Sequence, residues 1–304
     1  MMEEKPVNKS AFHLAGIIPV AGHQHDFGFD WDNALMPIAK NYTAIERSIM
    51  ECAYAGCETI WIVCNNDIQP LVRHRVGEIV QDPIWYGRIL AAHPEDYRRP
   101  IPIYYVPIHP KDRDRVDCYA WSILFGALTA YWTSKQMSKW VTPDKYYVSF
   151  PFGIYPEDAP RAHRSLISSE NNFFFCYNGK TVKDGEYLGF SFGPEDFIKC
   201  RQMIRKEGTR EWKHSGTEIP TEKIPLEKRW SARHFSLDKV LKHVILIEEG
   251  VKELKWFHNI SSWENYTNFF ASEESKTVKR PYEGLIKYHE WSGIGVDNDN
   301  NDKE

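Results

Sequence analysis

The chain has 304 residues, of which 42% are hydrophobic and 26% charged, a balance that excludes disordered, collagen-like and membrane-embedded classes. Lys and Arg number 38 against 42 Asp and Glu, a formal charge of -4, so no global basic field exists to hold a nucleic-acid backbone. At this length the core needs no disulfide or metal staples.

Six cysteines (Cys52, Cys57, Cys64, Cys118, Cys176 and Cys200) lack CxxC spacing, and most sit in apolar runs. They read as buried free thiols in a reducing compartment, with no structural zinc. The opening MMEEKPVNKS carries acids and no apolar stretch, and no apolar run is long enough to span a bilayer. A soluble, cytoplasmic protein is expected. Its organisation reads as an N-terminal arm over 1–11, one α/β domain over 12–292 with halves at 12–155 and 156–292, and a disordered acidic tail over 293–304.

Leu14-Ala-Gly-Ile-Ile-Pro-Val-Ala21 is a nearly continuous apolar run, as in a strand buried on both faces, with Pro19 marking an irregularity or an edge. Thr43-Ala-Ile-Glu46 reads as a capping box for a helix over about 43–55, which Gly56 stops. Thr59-Ile-Trp-Ile-Val-Cys64 is a second strand, so the chain opens as a βαβ unit with a right-handed crossover. The spacing then predicts a helix over 69–80, a third parallel strand over 101–108, a helix over 116–135 and a strand over 146–150.

Farther on, 173–182 and 185–192 read as strands with an Asn178-Gly179 turn, an antiparallel hairpin inserted in the fold. Pro194 opens a helix that Gly208 is expected to stop; 207–233 reads as an exposed flap, and a helix begins at Phe235. The expected fold is therefore α/β, a doubly wound, mostly parallel, Rossmann-like sheet with a hairpin insertion.

The polar loop after the first strand lies where open α/β sheets bind ligands. It reads Ala21-Gly22-His23-Gln24-His25-Asp26-Phe-Gly-Phe-Asp30-Trp-Asp32-Asn33 and continues as Ala-Leu-Met-Pro-Ile38. No P-loop, GxGxxG or Gly-x-Ser-x-Gly elbow occurs. His23, His25 and Asp26 could ligate a transition metal, or serve as hydrogen-bonding loop residues. Asp30, Asp32, Asp112 and Asp114 could hold a metal, or form turns and caps. Arg73, Arg75, Lys111, Arg113 and Arg115 could neutralise an anion, or form a solvated face. Phe27, Phe29 and Trp31 could stack on a base or a sugar.

This loop resembles that of the sugar nucleotidyltransferases, in which an Ala-Gly-x-Gly-Thr-Arg loop leads to Lys-x-Leu-x-Pro and a helix. The counterparts are Ala21 to Asp26 and Asn33 to Ile38, and the likeness continues through Ala44-Ile-Glu-Arg-Ser-Ile and Ala55 to Val63. Trp256-Phe-His-Asn-Ile-Ser-Ser-Trp-Glu-Asn-Tyr266 is similar to the family's closing segment. The chain also resembles a divergent group of such proteins encoded by marine bacteriophages.

The resemblance implies a GT-A-like fold whose first half binds a nucleotide on Ala21, Gly22, His23, Gln24 and His25. It further implies transfer of a nucleotidyl group to a sugar phosphate, with Mg²⁺ or Mn²⁺ as cofactor. Gly22 would admit the ligand's close approach, and Gln24 and Asn33 would donate hydrogen bonds. Asp26 and Asn33 are the candidate catalytic residues, and Asp112 and Asp114, in a DxD spacing, the candidate metal ligands. The chain departs from the family where the second loop glycine falls at Gln24, the loop arginine at Asp26 and the lysine at Asn33. Gly153 stands near one metal acid and Asn259 at the other. An Asp in place of Arg repels a triphosphate. Three functions therefore stay open: a nucleotide- or nucleotide-sugar-binding transferase, a non-catalytic descendant that binds a partner, and a metal-dependent glycosyltransferase.

Overall fold

A computed structural model describes residues 12–22, 32–86, 100–108, 119–137, 142–214 and 236–281. Strand β1 (Leu14–Pro19) is buried along its whole length. A hairpin of β2 (Pro37–Ala39) and β3 (Tyr42–Thr43) leads into helix α1 (Ala44–Ala55). The capping box closes as the sequence foretells: Glu46 Oε2 accepts from Thr43 N at 2.9 Å, and Gly56 ends the helix in the left-handed region. Strand β4 (Thr59–Asn65) then pairs with β1 in parallel, completing the βαβ unit.

Helix α2 (Gln69–Val76) stops four residues short of the expected end, because Gly77 takes φ 82° and caps it onto Arg73 O. Val80 falls instead in β5 (Ile79–Gln81), an antiparallel edge against β6 (Pro100–Ile108). A four-residue helix, α3, spans Pro83–Tyr86. Pro102 and Pro107 do not exclude β6 from the sheet, and it pairs in parallel with β4 over six residues.

Helix α4 (Tyr119–Met137) and strand β7 (Lys145–Val148) follow, with β7 parallel to β1 on its other side. Pro19 thus ends a central strand, as the last of its residues in register with β4. The remaining elements are β8 (Gly153–Ile154), α5 (Arg164–Ile167), β9 (Phe174–Cys176), β10 (Phe190–Phe192), α6 (Pro194–His214), α7 (Leu237–Leu241), β11 (Val251–Glu253), β12 (His258–Asn259) and α8 (Trp263–Ala271).

These strands build an eight-stranded sheet in the order β11-β9-β10-β7-β1-β4-β6-β5. It is mostly parallel, and the expected hairpin appears as β9 and β10, antiparallel to each other, with β10 antiparallel to β7. The Asn178-Gly179 turn closes only a local Tyr177–Lys180 bridge. Gly208 does not stop α6, which runs to His214, since a helical glycine costs only about 1 kcal/mol. Part of the stretch expected as a flap is therefore helix, and 215–235 lies outside the described residues.

Alternation along β1 divides the core. Ala15 and Ile17 pack with Ile123 and Ala127 of α4, while Leu14 and Ile18 pack with Ile45 and Ile49 of α1 on the opposite face. Each fully buried Ile contributes roughly 1.5–3 kcal/mol. Five of the cysteines are buried and free, and Cys118 lies outside the described residues. Among the described residues no helix is long and apolar enough to cross a membrane.

Candidate functional site

Strand β1 has β4 on one side and β7 on the other, both parallel to it. The crossover to β4 runs through α1 on one face of the sheet, and the return to β7 follows α4 on the other. The strand order therefore reverses at β1. Such a reversal opens a crevice beyond the carboxyl ends of the strands, here those of β1 and β7.

The residues that leave β1 at this crevice are Val20, Ala21 and Gly22. Val20 N and Ala21 N both donate to Val63 O at 2.8 Å, and Ser122 Oγ donates to Ala21 O. The turn is thereby tied to β4 and α4. Gly22 lies against the Tyr119 ring, where a Cβ would stand 2.4 Å from Cε1. Tyr119 packs on Phe152 and Tyr187 with centroids 5.6 and 5.7 Å apart, and Phe150 lies 5.6 Å from Tyr187. An aromatic wall thus stands behind the turn.

Asp32 caps a single 3-10 turn, with Oδ1 accepting from Ala34 N at 2.9 Å. Burial pushes its carboxyl up to about 6; the Ala34 bond opposes the shift and the Asp67 charge adds to it. Asn33 follows inside the same turn and is buried with Ala34 and Leu35. His23, Gln24, His25, Asp26, Asp30, Asp112 and Asp114 lie outside the described residues, as do Phe27, Phe29, Trp31, Lys111, Arg113 and Arg115. Arg73 pairs with Glu78, and Arg75 donates to Asn41 O and to Glu46 Oε2 at 2.7 and 3.0 Å, so both are engaged on the surface of the fold.

The two positions that the resemblance gives to metal acids are partners in one ladder: Asn259 of β12 is paired with Gly153 of β8. Neither is a carboxylate. A Cβ at Gly153 would come within 1.8 Å of Tyr187 O and 3.1 Å of the Phe257 ring, so no acidic side chain fits there without moving backbone. Among the described residues no three His, Cys, Asp or Glu side chains converge as a metal site. The described residues therefore do not fit Mg²⁺ or Mn²⁺ at this ladder.

Beyond the ladder, still at the carboxyl edge, lies a pocket of about 310 Å³. Tyr177 and Phe257, with ring centroids 5.9 Å apart, line one part of it. Asn178, Asn265 and Asn268 add amides, and Glu186 stands 3.7 Å from Lys180 Nζ. His258 lines it too, with Nε2 3.7 Å from Glu274 Oε2. Asn259 and Glu186 connect this pocket to Gly153 and Tyr187, and through Tyr187 to Gly22 and Tyr119.

With this geometry the solved structures are informative about fold. A Bacillus anthracis protein assigned as a glucose-1-phosphate thymidylyltransferase, solved with sucrose, superposes with a TM-score of 0.52 at 10% identity, covering 88% of this chain and 98% of its own. The chain has a sugar nucleotidyltransferase-like fold. A UDP-glucose pyrophosphorylase complexed with UDP-glucose is similar with a TM-score of 0.47 at 11% identity, covering 88% of this chain and 100% of its own. A nucleoside-diphosphate-sugar pyrophosphorylase of Vibrio cholerae RC9 gives 0.45 at 13% identity, covering 84% and 100%. No family model and no curated protein matches the chain.

Tyr119, Tyr187 and Asn268 are not singled out by the sequence. The aromatic surplus is spread along the whole chain, and nothing in their spacing marks them. The nearest signal was Trp256 to Tyr266, whose resemblance to a closing segment falls on the pocket's own residues.

Proposed function

We propose that the chain binds a nucleotide-sugar across the carboxyl edge of its sheet. The nucleotide lies over the Ala21-Gly22 turn, and the sugar occupies the 310 Å³ pocket beyond the Gly153–Asn259 ladder. The observation that carries this reading is the reversal of strand order at β1, which opens a crevice at the same carboxyl edge as that pocket. Amide and carboxylate groups match sugar hydroxyls in both hydrogen-bonding senses, and the Tyr177 and Phe257 rings offer apolar faces to a sugar's C–H surface.

Transfer of a nucleotidyl group to a sugar phosphate is the chemistry that the fold suggests. It requires concentrated positive charge at the phosphates, because phosphoryl transfer is mostly positioning and electrostatic stabilisation. A metal in that role would draw on Asp26, Asp112 and Asp114, since Gly153 and Asn259 offer it no carboxylate. The crowding at Gly153 favours a binding role over the family's usual metal arrangement.

The test is a thermal-shift series with UDP-glucose, UDP and glucose-1-phosphate, with and without Mg²⁺ or Mn²⁺. A ligand that binds only the folded state raises Tm, by an amount set by its concentration over Kd. UDP-glucose is expected to raise Tm more than UDP or the sugar phosphate alone. Silence across nucleotide-sugars with other bases and sugars at millimolar concentration overturns the reading. A metal-dependent shift, followed by pyrophosphate release, would establish turnover.

A further inference from the structure

Four asparagines, Asn178, Asn259, Asn265 and Asn268, line the 310 Å³ pocket, and they come from three separate parts of the fold. Asn178 lies in the turn after β9, Asn259 in β12, and Asn265 and Asn268 three residues apart on α8, where that spacing puts them on one face. The helix is held in place by Tyr266, whose hydroxyl donates to Pro37 O at 2.7 Å, and by Phe269, whose ring lies 5.4 Å from that of His258. Each carboxamide offers donors and an acceptor without net charge.

The charges at this pocket are mostly negative. Its one ammonium, on Lys180, stands 3.7 Å from Glu186 Oε1, and His258 Nε2 stands 3.7 Å from Glu274 Oε2. A third carboxylate supports the turn that carries Asn178: Glu253 Oε1 accepts from Asn178 N at 2.8 Å, and its Oε2 accepts from the Cys176 thiol at 2.7 Å. Glu186, Glu253 and Glu274 thus outnumber the Lys180 ammonium, which His258 supplements only when protonated. Exposure widens the imbalance. The Lys180 side chain is 63% exposed and that of Glu186 only 25%, so water screens the cation more than the acid that lines the pocket beside it.

On the reading that a nucleotide-sugar occupies this edge, we propose that the pocket takes a neutral sugar and rejects one carrying a carboxylate, with Glu186 as the specificity-determining residue. The carboxamides bond hydroxyls of a neutral ring, and no charge has to be stripped of water to do so. A sugar acid brings a second carboxylate to Glu186 while Lys180 is already paired. Like charges placed together discriminate against the wrong ligand more sharply than a missing contact does.

The probes are UDP-glucose and UDP-glucuronate, which differ by one carboxylate, titrated calorimetrically into the full chain at pH 7 and low salt. UDP-glucuronate is expected to bind roughly ten-fold more weakly, and added salt to narrow the gap by screening the repulsion. Glu186→Gln removes the opposing charge and frees Lys180 to pair with the ligand. It is expected to tighten UDP-glucuronate about five-fold, a gain of binding that a merely damaged pocket would not give. Equal affinities in the parent chain overturn the selectivity and leave the nucleotide-sugar reading standing. A gap that salt does not narrow, or UDP-glucuronate binding as weak in Glu186→Gln as in the parent, overturns the role of Glu186. No heat from either ligand at millimolar concentration overturns the selectivity together with the binding of uridine nucleotide-sugars.

Discussion

Arg47 and Glu51, one turn apart on α1, form an ion pair at 2.8 Å with both side chains fully buried. Glu51 also accepts from the hydroxyls of Tyr147, Ser149 and Tyr155, and the Arg47 guanidinium lies 4.0 Å over the Tyr155 ring. Burial alone would lower the Arg47 pKa, but the Glu51 carboxylate and Tyr155 outweigh it and hold the guanidinium above its ordinary value. Removing one partner of such a pair leaves an uncompensated buried charge. Glu51→Ala is therefore expected to cost about 3–5 kcal/mol in urea denaturation. The double variant with Arg47→Met should recover part of that loss, though three hydroxyls remain without their acceptor. A double variant no more stable than Glu51→Ala would show that the pair is not the source of the cost.

At the proposed nucleotide site, Gly22→Ala would drive a methyl group into the Tyr119 ring. The turn must then shift away from its bonds to Val63 and Ser122. Overpacking of this kind costs about 1–3 kcal/mol. The thermal response to UDP-glucose should fall with it, because the turn is the nucleotide's support. Tyr119→Ala in the same chain vacates the space and should restore part of both. Unaltered nucleotide-sugar binding in Gly22→Ala would move the nucleotide away from the β1 turn.

Asp32 sets a pH dependence of stability. Its folded carboxyl titrates near 6 against an ordinary 3.8, so the folded state holds the proton more tightly than the unfolded chain. The stabilisation is fully present below about pH 3.8 and is lost as the pH rises through 6. The swing is on the order of 2–3 kcal/mol. Asp32→Asn keeps a capping side chain and removes the titration. Urea denaturation between pH 3.5 and 7.5 should show the parent losing ground to Asp32→Asn as pH rises; a constant gap would place Asp32 in water.

Much of the sheet was legible because its central strands are buried on both faces. Leu14 to Pro19 and Ile60 to Cys64 are apolar and buried throughout, and Thr43, Glu46 and Gly56 carry their caps in their chemistry. The boundaries at Gly77 and Gly208 were not legible, since glycine ends a helix only where tertiary structure uses its positive φ. Gly77 does so, and Gly208 sits inside α6. The Glu51 cluster was hidden for a different reason. A Glu in a helix reads as solvent-facing, and only the sheet topology brings Tyr147 and Tyr155 over it. At the candidate site, the sequence could locate the loop after β1, while the aromatic wall and the Gly153–Asn259 pairing depend on register between distant segments.

That pairing gives the sharpest test of the metal question. Asn259 Oδ1 accepts from Ser261 N at 3.1 Å, a bond that aspartate preserves, so Asn259→Asp should fold like the parent. It supplies one carboxylate at the position where the resemblance expects an acid. Divalent cations of this kind take several oxygen ligands, and Gly153 across the ladder has none to add from its side chain. Asn259→Asp alone is therefore expected to gain no Mg²⁺-dependent rise in Tm. Gly153→Asp should cost stability outright, because its Cβ meets Tyr187 O at 1.8 Å and the β8–β12 ladder must open to admit it. A clear Mg²⁺-dependent rise in Asn259→Asp would show that other carboxylates already converge on this ladder. That result would revive metal-assisted nucleotidyl transfer as the chain's chemistry.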